Sequence, residues 1–279
     1  MHLPRFVSSV ETANDKLLDV LSRAMSRYYR ETPYHDEWIK GRNADWLEGR
    51  HDAQIAMCRQ IPAGAIVLEA GCGDGAGSQE IHDRCPAMRY YGFDLRPAMR
   101  KTGGFVAGRA DAIPFASSTC DVVVSMFVIE HLVRPHRFLD EAWRVLKPSG
   151  IFLLVAPDFL SFSMASEILS RSYSSGRELL CHGRLWDAFL TGLSTRVLFP
   201  LRRWRRRRSL RSGRFAFPVL LNPRCLTLPG FVPDCDAVYA ACPEEIASYL
   251  KTKPDCDSVS IFARTASSFG LSARKVGAA

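Results

Sequence analysis

A short apolar run, Ala65-Ile-Val-Leu-Glu-Ala70, that passes directly into Gly71-Cys-Gly73-Asp-Gly75 constrains this chain more than any other feature. The run is entered through Pro62-Ala63-Gly64 and left through glycines, the signature of a short strand buried on both faces of a parallel sheet. Glycines at the exit let the chain turn tightly and bring backbone N–H groups close to a ligand, where a following helix N-terminus favours negative groups. Taken alone the turn is ambiguous. Gly71, Gly73 and Ala76 also satisfy the G-x-G-x-x-A form of a dinucleotide fingerprint, and a plain structural turn would use some of these glycines too.

The residues beyond the turn narrow the choice of fold. Strand-like and helix-like segments alternate through YYGFDL, a helix after Pro97, GGFVAGRA, CDVVVSMF, a helix from Arg137 to Leu146 and GIFLLVAP, with a further helix expected after Ser78. The helix ending EAWRVLKPSG carries Pro148 and Gly150 as its stop. Such alternation predicts an α/β fold with a doubly wound, Rossmann-like sheet, binding its ligand beyond the carboxyl ends of the strands. The predicted organisation is an N-terminal helical segment over 1–60 that acts as a cap, with Leu17, Leu18, Leu21 and Met25 on one face. A cofactor-binding core over 61–158 comes next, then an insertion over 159–235. The last strands of the core are expected over 236–270, with DAVYAA and DSVSIFARTA as strands and PEEIASYLK as a helix between them. Residues 271–279 read as a frayed tail.

Composition supports a packed globular chain, with 47% hydrophobic and 24% charged residues. Nine cysteines without C-x-x-C spacing read as free thiols rather than metal ligands. The opening residues lack the apolar core and cleavage site of a secretory signal, and Asp187 and Arg196 interrupt the best apolar stretch. The expectation is a cytoplasmic protein. The net charge of +8 is local: eight arginines between Arg202 and Arg214 sit among thirteen residues without an acid, so the remainder of the chain sums to zero. Tryptophan and aliphatic residues interleave with these arginines. That pattern admits a solvated basic loop or a peripheral contact with an anionic membrane at its inner face, and nucleic acid ranks last. Nothing in the sequence sets an oligomeric state.

Asp94 ends the second strand about twenty residues past the glycine turn, where a carboxylate accepts from the ribose hydroxyls of an adenosine ligand. That holds for either cofactor. The acidic Glu69 ahead of the first glycine, the later DAIPF and the IEHL after the fourth strand separate them. With VLEAGCGDG, YGFDL, GRADAIPF, CDVVVSMFVIEHL and EAWRVLKPSGIFLLVAPD in order, the segment from Ile66 to Asp158 resembles the class I S-adenosylmethionine-dependent methyltransferases of the type 11 branch. The resemblance implies that Glu69 and the backbone of Gly71, Cys72, Gly73 and Gly75 hold the methionine portion of S-adenosyl-L-methionine. It implies that Asp94 takes the ribose, that Asp111 and the Ala112 backbone meet the adenine amino group, and that Leu95 and Ile113 pack on the ring. Met126 and Phe127 would line the side from which the methyl group leaves.

His131 is the candidate catalytic residue, since an imidazole beside the methyl group could remove a proton from a hydroxyl or amine. The alternative for the Glu130-His131 pair is to orient the loop beside the cofactor. His35, His51, Tyr28, Tyr29, Tyr34, Trp38 and Trp46 read as packing of the N-terminal segment, and His182 as a surface residue. The expected activity is methyl transfer to an oxygen or nitrogen of a small metabolite, sugar or lipid-linked acceptor. The alternatives are an NAD(P)-dependent oxidoreductase or epimerase, and a non-catalytic module that docks membrane or RNA. No metal site is expected.

Overall fold

The structure is a computed structural model that describes residues 6–7, 14–31, 52–73, 81, 85, 88–95, 104–159, 176–193, 196–197, 199–226, 236–265 and 268–277. A two-residue strand, β1 (Phe6–Val7), precedes helix α1 (Asp15–Glu31). The N-terminal segment is therefore not wholly helical. In α1, Leu18, Leu21 and Met25 are buried as their spacing requires, whereas Leu17 lies one residue off that stripe and is exposed. Residues 52–58 are also helical. The expected helix starts after Ser78 and Pro97, together with His35, His51, Tyr34, Trp38 and Trp46, lie outside the described residues.

Five strands run parallel: β2 (Ile66–Ala70), β3 (Arg89–Asp94), β4 (Gly104–Ala107), β5 (Cys120–Met126) and β6 (Leu146–Pro157). The central ones are apolar along their length because both faces are covered: Val67, Leu68, Val122, Val123 and Val124 are fully buried. Strand β2 pairs with β3 through Ala70↔Phe93 and with β5 through Ala70↔Ser125, so the direction of winding reverses at β2. Between β5 and β6 lies helix α2 (Pro135–Val145), with Pro135 in its first turn and Phe138, Leu139, Ala142 and Trp143 buried. This helix starts and ends earlier than its sequence suggests. Strand β6 already begins at Leu146, and residues 147–150 form an irregularity between the pairs Cys120↔Leu146 and Val122↔Ile151, with Ser149 at φ +63°. Pro148 and Gly150 thus shape the entry to a strand rather than stop a helix.

The 159–235 region contributes helices α3 (Gly176–Cys181), α4 (Leu185–Leu193) and α5 (Phe199–Arg211), and strand β7 (Val219–Leu220), which pairs antiparallel with β1. The arginine run is therefore a helix, not a loop. After it, DAVYAA is not a sheet strand. Its Tyr239 makes a single bridge with Val219, and the amides of Val238 and Tyr239 both donate to the Glu130 carbonyl at 2.8 Å, which fastens this segment to the turn after β5.

Helix α6 (Pro243–Leu250) has Pro243 and two glutamates in its first turn, as expected. Strand β8 (Cys256–Phe262) then forms the edge of the sheet rather than its final strand. The true last strand is β9 (Ser268–Lys275), inserted antiparallel between β6 and β8 to give the seven-stranded order β4-β3-β2-β5-β6-β9-β8. Residues 271–275 are no frayed tail: Phe269, Leu271 and Ala273 alternate into the core with exposures of 0, 0 and 1%.

One buried charge cluster ties α5 to α6 and to the segment that precedes it. The Arg206 guanidinium, 7% exposed, donates to Glu245, to the Tyr239 hydroxyl (3.2 Å) and to the Ala240 carbonyl. Glu245, fully buried, also accepts from the Tyr239 hydroxyl (2.8 Å) and from the amides of Ala216 (3.1 Å) and Phe217 (3.2 Å). Burial disfavours the charge on Arg206, but the carboxylate beside it outweighs this and raises its pKa. Burial also pushes the Tyr239 hydroxyl well above its usual range and the neighbouring Cys242 thiol up to about 12.

Glu245→Ala strands a buried guanidinium and should cost about 3–5 kcal/mol of unfolding free energy by denaturant titration, more than the double change Arg206→Met/Glu245→Leu.

Candidate functional site

The carboxyl ends of β2, β3, β4 and β5 are level, because the registers Ala70↔Phe93, Asp94↔Ala107 and Ala70↔Ser125 put the strand exits side by side. Gly71 and Gly73 leave β2 with φ of +76° and +54°, the left-handed region that favours glycine. A Cβ on Gly71 would lie 2.3 Å from the Val128 Cγ2 atom, so the turn passes against the exit of β5 with no room for a side chain. The amides of Gly71 and Cys72 donate to the Phe93 carbonyl (2.8 and 3.1 Å), and that of Gly73 donates to the Asp94 carboxylate (2.9 Å). Asp94 thus holds the glycine turn from the end of β3. Glu69, 3% exposed at the end of β2, receives a hydrogen bond from the Tyr90 hydroxyl on β3.

After β4 the chain turns back on itself. The Ala112 amide donates to the Arg109 carbonyl (3.2 Å), and the Ile113 amide donates to Glu141 of α2 (2.8 Å). Glu141 is held in turn by a two-pronged contact from Arg144. Arg109 clamps Asp111 with bonds of 2.8 and 2.9 Å and reaches Ser22 on α1 at 3.3 Å. Burial alone would favour the neutral acid, but the hydrogen bonds and charge of Arg109 hold the Asp111 carboxyl below its usual range. Ile113 is buried and Leu95 is half-buried. Met126, at the end of β5, accepts a weak bond from the Gln54 amide (Nε2 to Sδ, 3.6 Å), and Phe127 adopts φ +55°. A bulky residue in that region is strained, a condition that persists only where the surroundings enforce it.

His131 closes a short 3-10 turn, Ile129–His131. Its Nδ1 lies 3.2 Å from the Asp236 carboxylate and its Nε2 lies 3.7 Å from Glu130, both carboxylates being buried. The Tyr29 hydroxyl donates to the same Asp236 oxygen (2.6 Å), and its ring meets the imidazole edge-on at 5.9 Å. His131 therefore sits where α1, the β5 exit and the start of the segment after the insertion converge.

The expected residues Glu69, Gly71, Cys72, Gly73, Asp94, Leu95, Asp111, Ala112, Ile113, Met126, Phe127 and His131 all fall on the exits of β2 to β5. Gly75 lies outside the described residues. His182 is exposed on the turn after α3, as its sequence context suggests, and Tyr28 and Tyr29 pack on the core. Sequence reasoning missed Tyr90, Arg109, Gln54 and Asp236. Arg109 was within reach, two residues before Asp111 and of opposite charge. Asp236 carries no local signal, standing 207 positions from Tyr29. Among the described residues no group of histidine, cysteine or acidic side chains could hold a metal ion, and the eight described cysteines are free.

Comparison with known proteins points the same way. Residues 68–154 match the family described as methyltransferase domain. A probable S-adenosylmethionine-dependent methyltransferase of Mycolicibacterium smegmatis is 36% identical over 124 residues, which is 41% of this chain and 46% of the relative. A ubiquinone/menaquinone biosynthesis C-methyltransferase of Roseobacter denitrificans is 29% identical over 159 residues, 53% of this chain and 56% of the relative. The chain spans about half the length of these curated relatives. A solved structure of the Burkholderia thailandensis 1,6-didemethyltoxoflavin-N1-methyltransferase, with 1,6-didemethyltoxoflavin and S-adenosylhomocysteine bound, aligns over 99% of this chain and 100% of that chain at a TM-score of 0.52 and 12% identity. This likeness is one of fold. The family match removes the dinucleotide ambiguity of the Gly71-x-Gly73 turn.

Gly71→Ala should cost about 1–3 kcal/mol in unfolding free energy, because the added methyl must displace Val128 from a position with left-handed backbone. Denaturant unfolding of the variant reads this directly.

Proposed function

We infer, from the membership of residues 68–154 in the class I, S-adenosylmethionine-dependent methyltransferases, that this protein binds S-adenosyl-L-methionine at the exits of β2 to β5 and transfers its methyl group to an oxygen or nitrogen acceptor. The observation that carries the reading is the glycine turn pressed against Val128 with Asp94 capping it. Only a bare backbone fits there, which lets a ligand approach the main chain closely, and a carboxylate at the end of the second strand is what a ribose needs. The cofactor supplies an electrophilic methyl group carried on a sulfonium.

Each side chain has a distinct task in this reading. Glu69, held by Tyr90, faces the ligand's ammonium, and the bare backbone of Gly71, Cys72 and Gly73 lets the methionine portion lie close against the turn. Asp94 accepts from both ribose hydroxyls. Asp111 and the Ala112 backbone receive the adenine amino group, with Arg109 fixing the carboxylate's orientation, and Leu95 and Ile113 cover the ring. Met126 and Phe127 exclude water from the sulfonium side. Alignment of acceptor and methyl group in a dry site supplies most of the rate in such a displacement. His131, oriented through Nδ1 by Asp236, takes the acceptor's proton. The atom methylated differs among the relatives, carbon in one and nitrogen in another by their names, so the acceptor follows from this chain's own cap segments. We place it among small metabolites, sugars and lipid-linked molecules.

Four measurements test the reading. Asp94→Ala should weaken S-adenosylhomocysteine binding by calorimetry roughly ten- to hundredfold, about 1.5–3 kcal/mol; unchanged affinity would remove the ribose assignment. Since Arg109 lowers the Asp111 pKa, binding supported by the ionised carboxyl is intact above the ordinary carboxylate range and fails as pH falls through the depressed value. Arg109→Met should therefore move that acid limb to higher pH. Labelled S-adenosyl-L-methionine incubated with fractionated extracts should transfer label to metabolites or lipids, and His131→Asn should lower kcat by about 10²–10⁴-fold with little change in cofactor affinity. Label found in RNA alone would overturn the acceptor class.

A further inference from the structure

Helix α4 turns its apolar side outward. At about 100° per residue, Leu185, Trp186, Phe189 and Leu193 fall on one stripe about 100° wide. Their exposures are 67, 65, 57 and 37%, whereas Ala188, just outside the stripe, is buried. Trp186 and Phe189 stack on each other at 5.6 Å. A contiguous aromatic and aliphatic stripe held in water marks a contact surface, unlike apolar residues scattered singly.

Helix α5 begins six residues after Leu193 and supplies the charge. Its inward side is set by Arg206, locked to Glu245, Tyr239 and the Ala240 carbonyl, with Leu210 beside it. On the opposite arc, about 160° wide, lie Arg205, Arg207, Arg208 and Arg211, with the exposed Trp204 and Leu201 among them. The Arg208 guanidinium rests 5.6 Å from the Trp204 ring centroid. Arginines three and four apart repel, and α5 contains no acid to relieve them. Arg207 and Arg211 also flank an open groove of about 370 Å³ completed by Leu210, Ser248 and Glu244. Glu244 is already engaged by Arg264 at 2.8 Å, so it leaves the arginines' charge available.

We propose that α4 and α5 dock this protein on an anionic lipid bilayer. The α4 stripe and Trp204 enter the boundary between headgroups and acyl chains, and Arg205, Arg207, Arg208 and Arg211 pair with lipid phosphates. Tryptophan with arginine neighbours suits that boundary, where an apolar body and a polar tip are both satisfied. A nucleic acid would meet the arginines but leave the α4 stripe in water, and a second copy of the chain would set two arginine faces against each other. No described helix is long and apolar enough to cross a membrane, so the contact is peripheral. The proposal stands whether or not methyl transfer does.

Co-sedimentation of the full chain with phosphatidylcholine vesicles, with and without phosphatidylglycerol, tests it. The protein should pellet with the phosphatidylglycerol vesicles and not the neutral ones, and added salt should release it. Arg205→Ala/Arg207→Ala/Arg208→Ala/Arg211→Ala should weaken partitioning on the order of 100-fold, and Trp186→Ser/Phe189→Ser by roughly tenfold or more. Arg206 is left intact and circular dichroism checks folding; should the quadruple variant unfold, Arg205→Ala/Arg208→Ala is read instead, with a loss of about tenfold. Absence of binding to anionic vesicles, or undiminished binding by either folded variant, overturns the proposal. Arginine-dependent capture of a single-stranded RNA oligonucleotide without vesicle binding overturns it equally.

Discussion

The pairing of β2 with both β3 and β5 is the constraint on which the rest of this molecule depends. The chain winds outward from β2 in one direction, returns, and winds outward from β5 in the other, so the crossover connections part at the seam between those two strands. The seam must stay narrow for the strands to bond and open at its end for a ligand to enter. Gly71 meets both demands by carrying no side chain where the β5 exit crosses it. Glu69, Asp94, Asp111 and Met126 then reach one rim without any long side chain or unusual loop, because register brings them level.

Around that rim the polar contacts form a linked shell rather than isolated pairs. Tyr90 holds Glu69, Asp94 holds Gly73, Arg109 holds Asp111, and Glu141 holds the Ile113 amide. Tyr90 and Arg109 orient carboxylates on the rim, while Asp94 and Glu141 hold backbone amides beside them. The same logic binds the peripheral segments: Arg109 touches Ser22 of α1, and Tyr29 of α1 shares Asp236 with His131. The N-terminal helix and the segment that follows the insertion are thereby part of the site's support.

How much of this could be read from the sequence depended on where each element gets its stability. Strands β2, β5 and β6 are buried on both faces, so Val67-Leu68, Val122-Val123-Val124 and Phe152-Leu153-Leu154 stand out as apolar runs. Strand β9 does not, because Gly270 and Ser272 between its core residues and Arg274 after them break the apolar run. DAVYAA misled in the opposite sense: it is apolar because it is buried beneath α5, while its amides bond to the Glu130 carbonyl rather than to a ladder. The arginine run announced its charge but not its shape, and nothing local distinguishes Arg206 from its neighbours until helical phase turns it inward. Asp236 illustrates the general limit, since its significance comes only from segments far away in the chain.

The position of β9 has a consequence for how the polypeptide reaches this state. It wedges between β6 and β8, two strands that both precede it, and its partner β6 lies more than a hundred residues earlier. Until Ser268–Lys275 has emerged from the ribosome, β6 presents a long row of unpaired N–H and C=O groups beside fully apolar side chains, the kind of edge that recruits other chains. Closing so distant a pairing is slow for entropic reasons. Nascent chains of this protein should therefore lean on chaperones in the interval when β6 has formed but its open flank has not yet been sealed by β9.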